Sequence, residues 1–120
     1  MILKGLGLKV LAALVAAVEK TGEGFYEAEL HRLKGELLLQ QVVPDEHQAG
    51  ACFQQALAIA HRQEAKSLEL RAAMSLARLW QSQGKRTEAH ELLAPIYGWF
   101  TEGFDTADLQ EAKTLLEALA

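Results

Sequence analysis

The sequence is short of cysteine, proline, β-branched residues and basic charge. Its one cysteine, Cys52, excludes an internal disulfide framework and favours a reducing compartment, so we expect a cytoplasmic protein. The net charge of -4 argues against a general nucleic-acid binder, which normally carries a basic face. Ala, Leu, Glu, Gln, Lys and Arg dominate instead, and because these residues are strong helix formers, the sequence predicts an all-α fold.

The N-terminal segment, residues 1–22, is the most apolar part of the chain. Lys9 interrupts its apolar run, which is then too short to span a bilayer, so we expect no membrane insertion. A signal peptide is the less favoured alternative to a leading helix. Apolar residues would cover more of this helix than one packing face requires. We therefore expect a homodimer or higher oligomer formed through Leu6, Leu8, Val10, Leu11 and Leu14, with packing over its own hairpin as the alternative.

Helical periodicity divides the remaining chain into two hairpins and a closing helix. Short connections between such helices force neighbours to run antiparallel. With the leading helix this predicts about six helices in a single domain over residues 1–120. The predicted segments are 1–22 for the leading helix, 25–63 for the first hairpin, 65–100 for the second hairpin and 105–120 for the closing helix.

Helix ends are marked by local signals in both hairpins. Val42-Val43-Pro44 ends the first helix of the first hairpin, because proline disfavours helix in the residue before it. Asp45 followed by Gln48 predicts a capping box at the start of the next helix. Gly84 is well placed as the C-terminal cap and turn residue of the second hairpin.

The second hairpin resembles the tetratricopeptide (TPR) repeat. In that pattern small residues let paired helices approach, bulky residues fill the space beside them, and a glycine allows the reversal. The first hairpin matches less closely, because the glycine of Leu33-Lys34-Gly35 comes one residue late relative to Leu76-Ala77. Either the register slips by one residue or Lys34 occupies a tight position. The residues that carry the resemblance in the second hairpin are Leu76-Ala77, Trp80, Gly84, Ala89, Leu93 and Ile96.

A narrower resemblance covers about residues 7–119. The strings FYEAELHRLKGELLL, ACFQQALAIAHRQEAKSLELRAAMSLARLW and YGWFTEGFDTADLQEAK are similar to the C-terminal tail of large bacterial signalling proteins. Those proteins join a nucleotide cyclase, kinase or transcription-factor module to an ATPase and a TPR-like array. The resemblance implies a regulatory or scaffold segment with a right-handed superhelical stack of hairpins. The chain contains none of the cyclase or ATPase motifs.

Motifs that suggest chemistry at first sight have simpler explanations. Gly84-Lys85-Arg86-Thr87 looks like the end of a phosphate-binding loop, but that motif needs a glycine where Leu79 stands, after a strand. The four histidines form no metal-binding motif with the acidic residues or with Cys52. Cys52 itself lies in an apolar helical run, where we expect a buried, unreactive thiol. We predict a protein that is not an enzyme and uses no metal or cofactor.

A protein or peptide partner is the predicted ligand. If the first helix of the second hairpin faces the groove of the stack, its arginines and methionine suit an acidic or amphipathic peptide. A small-ligand sensor domain and a purely structural oligomerisation module are the alternatives. Arg32 replaces His31 in the groove if the register of the first hairpin slips. The predicted groove residues are His31, Arg71, Met74, Arg78 and Gln81.

Overall fold

The structure, a computed structural model, describes residues 26–120, and this part of the chain is all-helical. The predicted leading helix of residues 1–22, with Leu6, Leu8, Val10, Leu11 and Leu14, lies outside the described residues. Within residues 26–120, no helix has the length and apolar character needed to cross a membrane. The five described helices are α1 (Glu27–Leu39), α2 (Glu46–Arg62), α3 (Lys66–Ser82), α4 (Arg86–Gly98) and α5 (Ala107–Leu119).

The five helices form two layers. Helix α3 contacts both α1 and α5, so these three helices make one layer. Helices α2 and α4 make the other layer, and each packs on the two helices that flank it in the chain. Among residues 26–120, this arrangement leaves one side of the α1–α3–α5 layer uncovered by another helix.

The turns after α2 and α3 have the same hydrogen-bonding pattern. After α3, the Gly84 N–H donates to the Gln81 carbonyl and the Lys85 N–H donates to the Trp80 carbonyl, at 3.1 and 2.8 Å. These paired bonds satisfy the last carbonyls of the helix in a Schellman motif. Gly84 has a φ of +80°, as the predicted turn glycine requires. After α2 the equivalent position is held by Glu64, whose φ is +56°.

The start of α2 carries one half of the predicted capping box, because the Asp45 N–H donates to the Leu38 carbonyl at 3.2 Å rather than to the Gln48 side chain. The Asp45 carboxylate accepts a hydrogen bond from the Gln48 backbone N–H at 3.0 Å. The exposed turn that precedes it contains Val42 and Val43. This cap fixes where α2 begins, and therefore the register in which α2 packs on α1.

Gly35 sets the close approach of α1 to α2. A Cβ atom added to Gly35 would lie 2.5 Å from Cε1 of Phe53, whose ring is completely buried. Gly35 therefore occupies the tight position of the first hairpin, whereas Lys34 is half-buried and Leu33 is exposed. A shift of 42 residues places the buried residues of α1 on those of α3. The aligned buried pairs are Ala28 with Leu70, His31 with Ala73, and Gly35 with Ala77.

The core is continuous through the two hairpins and the closing helix. Phe53 of α2 and Leu93 of α4 are completely buried and lie 40 residues apart, at corresponding positions of the two hairpins. Leu57, Trp80 and Leu92 are partly buried and pack against the clusters on both sides of them. Shared residues of this kind join the hairpins into one hydrophobic core rather than two.

Candidate interaction site

The solvent-facing side of the α1–α3–α5 layer carries a network of ion pairs, and we refer to it as the three-helix face. At its centre, Arg71 of α3 reaches both neighbouring helices. Its Nη1 donates to Oε2 of Glu29 at 2.9 Å, and its Nε donates to Oδ2 of Asp108 at 2.8 Å. These hydrogen bonds, to Asp108 and then to Glu29, raise the pKa of Arg71. One guanidinium thus links α1, which contributes Glu29, to α5, which contributes Asp108.

Glu29 is shared between two arginines. It pairs with Arg32 one turn further along α1, and Arg32 also donates from Nη1 to the Ser75 hydroxyl at 3.4 Å. Partial burial acts to raise the pKa of Glu29, but hydrogen bonds from Arg32 and Arg71 outweigh it, so the pKa lies below the ordinary value. Glu29 is therefore held in its charged form.

Arg78 and Glu111 form a third link, between α3 and α5. Their atoms Nη2 and Oε2 are 3.4 Å apart, and about half of each side chain is exposed. An ion pair with this exposure contributes little to the stability of the fold, since water competes with both partners, but it places a negative charge beside Arg78. The three arginines and three carboxylates of the network balance in charge: Arg32, Arg71 and Arg78 face Glu29, Asp108 and Glu111.

Two adjoining depressions lie on the three-helix face. The smaller, of about 190 Å³, is lined by Met74 and five of the six charged residues of the network. The larger, of about 490 Å³, lies between α3 and α5 and is open to solvent. Arg78 and Glu111 line both depressions, so their ion pair marks the boundary between them. The remaining lining of the larger one is uncharged: Gln81, Ala107, Gln110, Thr114, Leu115 and Ala118.

The structure brings together most of the predicted groove residues. Arg71, Met74 and Arg78 line the smaller depression, although only a small part of the Met74 side chain is accessible. Gln81 is exposed and lines the larger depression. His31 is instead buried, 3.9 Å from Glu27, because the register of the first hairpin slips by one residue. Arg32 lines the smaller depression instead of His31, as expected if the register slips.

The acidic members of the network were not among the predicted site residues. Glu29, Asp108 and Glu111 lie on the helices on either side of α3, 42, 37 and 33 residues from their arginine partners. These carboxylates could be found in the sequence as charges opposite to those of the arginines, at the same height on neighbouring helices. For Glu29 that signal becomes readable only after the 42-residue shift between α1 and α3 is known, and for Asp108 and Glu111 only after α5 is placed beside α3.

Other chemistry-bearing residues have structural roles. Arg86, beside the turn at Gly84, donates from Nη2 to the carbonyls of Ala118 and Ala120 at 3.3 and 3.2 Å. It thereby ties the start of α4 to the end of α5. Burial raises the pKa of the Cys52 thiol, so the thiol is held in its unreactive form. Among residues 26–120, no group of three or more His, Cys, Asp or Glu side chains is arranged to hold a metal ion.

The aromatic segment after α4 is divided between core and surface. Tyr97 and Phe100 pack against the core, whereas Trp99 and Phe104 are exposed to 57% and 46%. Trp99 stands edge-to-face on Phe100 with ring centroids 5.2 Å apart, and Lys66 Nζ lies 5.5 Å from the Trp99 ring centroid. Phe104 lies beside Tyr97 with ring centroids 6.0 Å apart, so each exposed ring contacts one that packs against the core.

Comparisons with known proteins gave no relative. No protein-family model matches the chain, and neither the curated proteins nor the solved structures contain a match. The functional argument therefore rests on the residues and on their arrangement.

Proposed function

We propose that this chain is a TPR-like, non-enzymatic protein-interaction module and that the three-helix face binds a segment of its partner. The observation that carries the proposal is the open depression of about 490 Å³ between α3 and α5. Its mixed lining of amide, hydroxyl and aliphatic groups is suited to a peptide segment, because peptides need both hydrogen bonds and apolar contact.

The arrangement of helices supports the TPR-like part of the proposal. Two helical hairpins and a closing helix follow one another, and the first helix of each hairpin lies in the same layer as the closing helix. In a stack of this kind each unit contacts only its neighbours, and one layer supplies an extended surface for binding. The sequence resemblance supports a module of this kind from a bacterial signalling protein, and it implies a right-handed superhelix.

The outer side of α5 has the polar character expected of a closing helix. Its exposed positions are mostly polar, including Lys113 and Glu117, whereas Leu109 and Leu115 are buried. A polar outer face is what a closing helix of a repeat array needs in order to remain soluble.

Site-specific crosslinking tests the proposal. A photoreactive residue placed at Gln81, in the depression, is expected to crosslink one partner in an extract of the source cells. The same residue placed at Glu91, exposed on α4 in the other layer, is the matched control and is expected not to crosslink that partner.

A binding measurement with the purified partner completes the test. Thr114→Arg places a bulky charge in the depression and is expected to weaken binding about ten-fold or more, whereas Glu91→Arg leaves it unchanged. Equal crosslinking from both positions, or equal affinity of both variants, would show that the three-helix face is not the binding surface.

A further inference from the structure

The three-helix face carries its own carboxylates, and these occupy the arginines that an acidic partner would need. Arg71 is bound on both sides, by Glu29 and Asp108. Arg78 faces Glu111 at 3.4 Å. A partner carboxylate that approached either arginine would have to displace a carboxylate already present. The complex would gain one ion pair and lose another. The partner carboxylate and the displaced carboxylate would also repel each other.

An uncharged segment faces no such competition. In the larger depression it meets the amides of Gln81 and Gln110 and the hydroxyl of Thr114, which can exchange hydrogen bonds with a peptide. It also meets the apolar surface of Leu115 and Ala118. Burying a charge there without a counter-ion would cost free energy, whereas burying a neutral, hydrogen-bonded group costs little.

We propose that the three-helix face selects an uncharged partner segment, and that Glu111 is the residue that excludes acidic segments by masking Arg78. This inference rests on the proposed function, since it names the chemistry of the partner for the same surface. Glu111 is the critical carboxylate because its ion pair is half-exposed and borders both depressions. The carboxylates on Arg71 are more deeply held.

Removing one negative charge tests the inference directly. Glu111→Gln leaves the size of the side chain nearly unchanged but frees Arg78 and gives the network a net charge of +1. Glu91→Gln makes the same change in total charge on α4, away from the face, and serves as the matched control. The probe is a fluorescein-labelled hexaglutamate peptide, with hexaglutamine as its uncharged counterpart, and affinity is measured by fluorescence anisotropy at low salt.

We expect the unmodified protein and Glu91→Gln to bind hexaglutamate equally weakly. Glu111→Gln is expected to bind it about five-fold or more tightly, and 0.5 M NaCl should abolish the gain, because exposed ion pairs are screened. Hexaglutamine should not distinguish Glu111→Gln from the unmodified protein. Circular dichroism confirms that each variant is folded before binding is compared.

Two results would overturn the inference. One is that the unmodified protein already binds hexaglutamate as tightly as Glu111→Gln does, which would show that Glu111 masks nothing. The other is that Glu111→Gln binds no more tightly than Glu91→Gln. Neither result depends on the native partner. Both can therefore be distinguished from a failure of the crosslinking experiment, which would refute the proposed function alone.

Discussion

Replacing Gly35 with alanine tests the packing of the first hairpin. The added Cβ would stand 2.5 Å from Cε1 and 2.9 Å from Cδ1 of the Phe53 ring, far inside normal contact distance. The ring is completely buried, so it cannot move into solvent to relieve the clash. Either Phe53 adopts a strained position or α1 and α2 move apart along their length.

Two opposing effects determine the magnitude. Alanine is favoured over glycine in a helix interior by about 1 kcal/mol, which acts to stabilise the variant. Overpacking of a well-filled core costs about 1–3 kcal/mol, and more where backbone must shift. Because the clash at Phe53 involves three ring atoms within 3.0 Å, we expect overpacking to prevail and Gly35→Ala to destabilise the protein by about 1–2 kcal/mol.

Gly50 of α2 supplies the matched control. A Cβ atom at Gly50 would lie 3.6 Å from Cδ2 of Leu79, an ordinary contact, so only the helix-propensity gain remains. We expect Gly50→Ala to stabilise the protein by up to about 1 kcal/mol. The two variants should therefore differ by about 2–3 kcal/mol in the free energy of unfolding, which corresponds to a Tm difference on the order of 10 °C.

Urea unfolding followed by far-UV circular dichroism measures both free energies. A Gly35→Ala variant as stable as the unmodified protein would refute the reasoning, since the close contact would then have no energetic consequence. A double-mutant cycle adds a second check. Phe53→Leu should cost less in the Gly35→Ala background than alone, because the smaller side chain relieves the clash.

Three further predictions concern single residues and are measured by the same unfolding experiment. Glu64→Gly should stabilise the protein by about 0.5–1 kcal/mol, because glycine adopts the left-handed backbone at no steric cost. Gly84→Ala should destabilise it by about 1 kcal/mol for the same reason. A change in stability of the same sign for both variants would contradict this view of the two turns. Asp45→Ala should cost about 1 kcal/mol by removing the helix cap, and an unchanged midpoint would show that the observed hydrogen bond contributes nothing. Glu29 has a lowered pKa in the folded protein, so its ion pairs stabilise the fold above the unfolded pKa of about 4.3, and this stabilisation is lost as the pH falls through the folded value. The difference in stability between the unmodified protein and Glu29→Gln should therefore be present at pH 7 and shrink below pH 4, and a pH-independent difference would argue against an ionic role.

Helix boundaries were predictable because they depend on local signals. The cap at Asp45 involves a residue three positions away, and the turn at Gly84 needs only the backbone freedom of glycine. The turn at Glu64 carries no such signal, yet it has the same hydrogen bonds as the turn at Gly84. Its left-handed backbone is imposed by the packing of α2 and α3 rather than by the residue itself.

The register of the first hairpin could not be settled from sequence. Leu33 and Leu76 look equivalent as apolar residues of two related helices, but Leu33 is exposed and Leu76 is buried. What fixes the register is the absence of a side chain at Gly35, which admits the Phe53 ring. A contact of this kind joins two helices, so periodicity within either helix does not reveal it.

The candidate site was predictable in its basic half only. Arg71 and Arg78 stand out because they share one face of a single helix, and a helical period is sufficient to find them. Their partners lie on two other helices, at separations that depend on turn lengths and on the slipped register. The expectation of an acidic or amphipathic peptide rests on the arginines and the methionine alone, and these carboxylates are what the sequence did not reveal.

Arg71 gives the stack a property that a simple row of repeats lacks. In such a row, stability is a sum of each unit and its contacts with the next, so the loss of an end unit is felt only by its neighbour. Helices α1 and α5 do not contact each other, yet both are bound to the same guanidinium. When α5 detaches, Arg71 loses its hydrogen bond to Asp108, and this changes its hydrogen bond to Glu29 on α1, at the opposite edge of the layer. Detachment of α5 is therefore felt at α1, across the whole width of α3, although α1 and α5 do not contact each other.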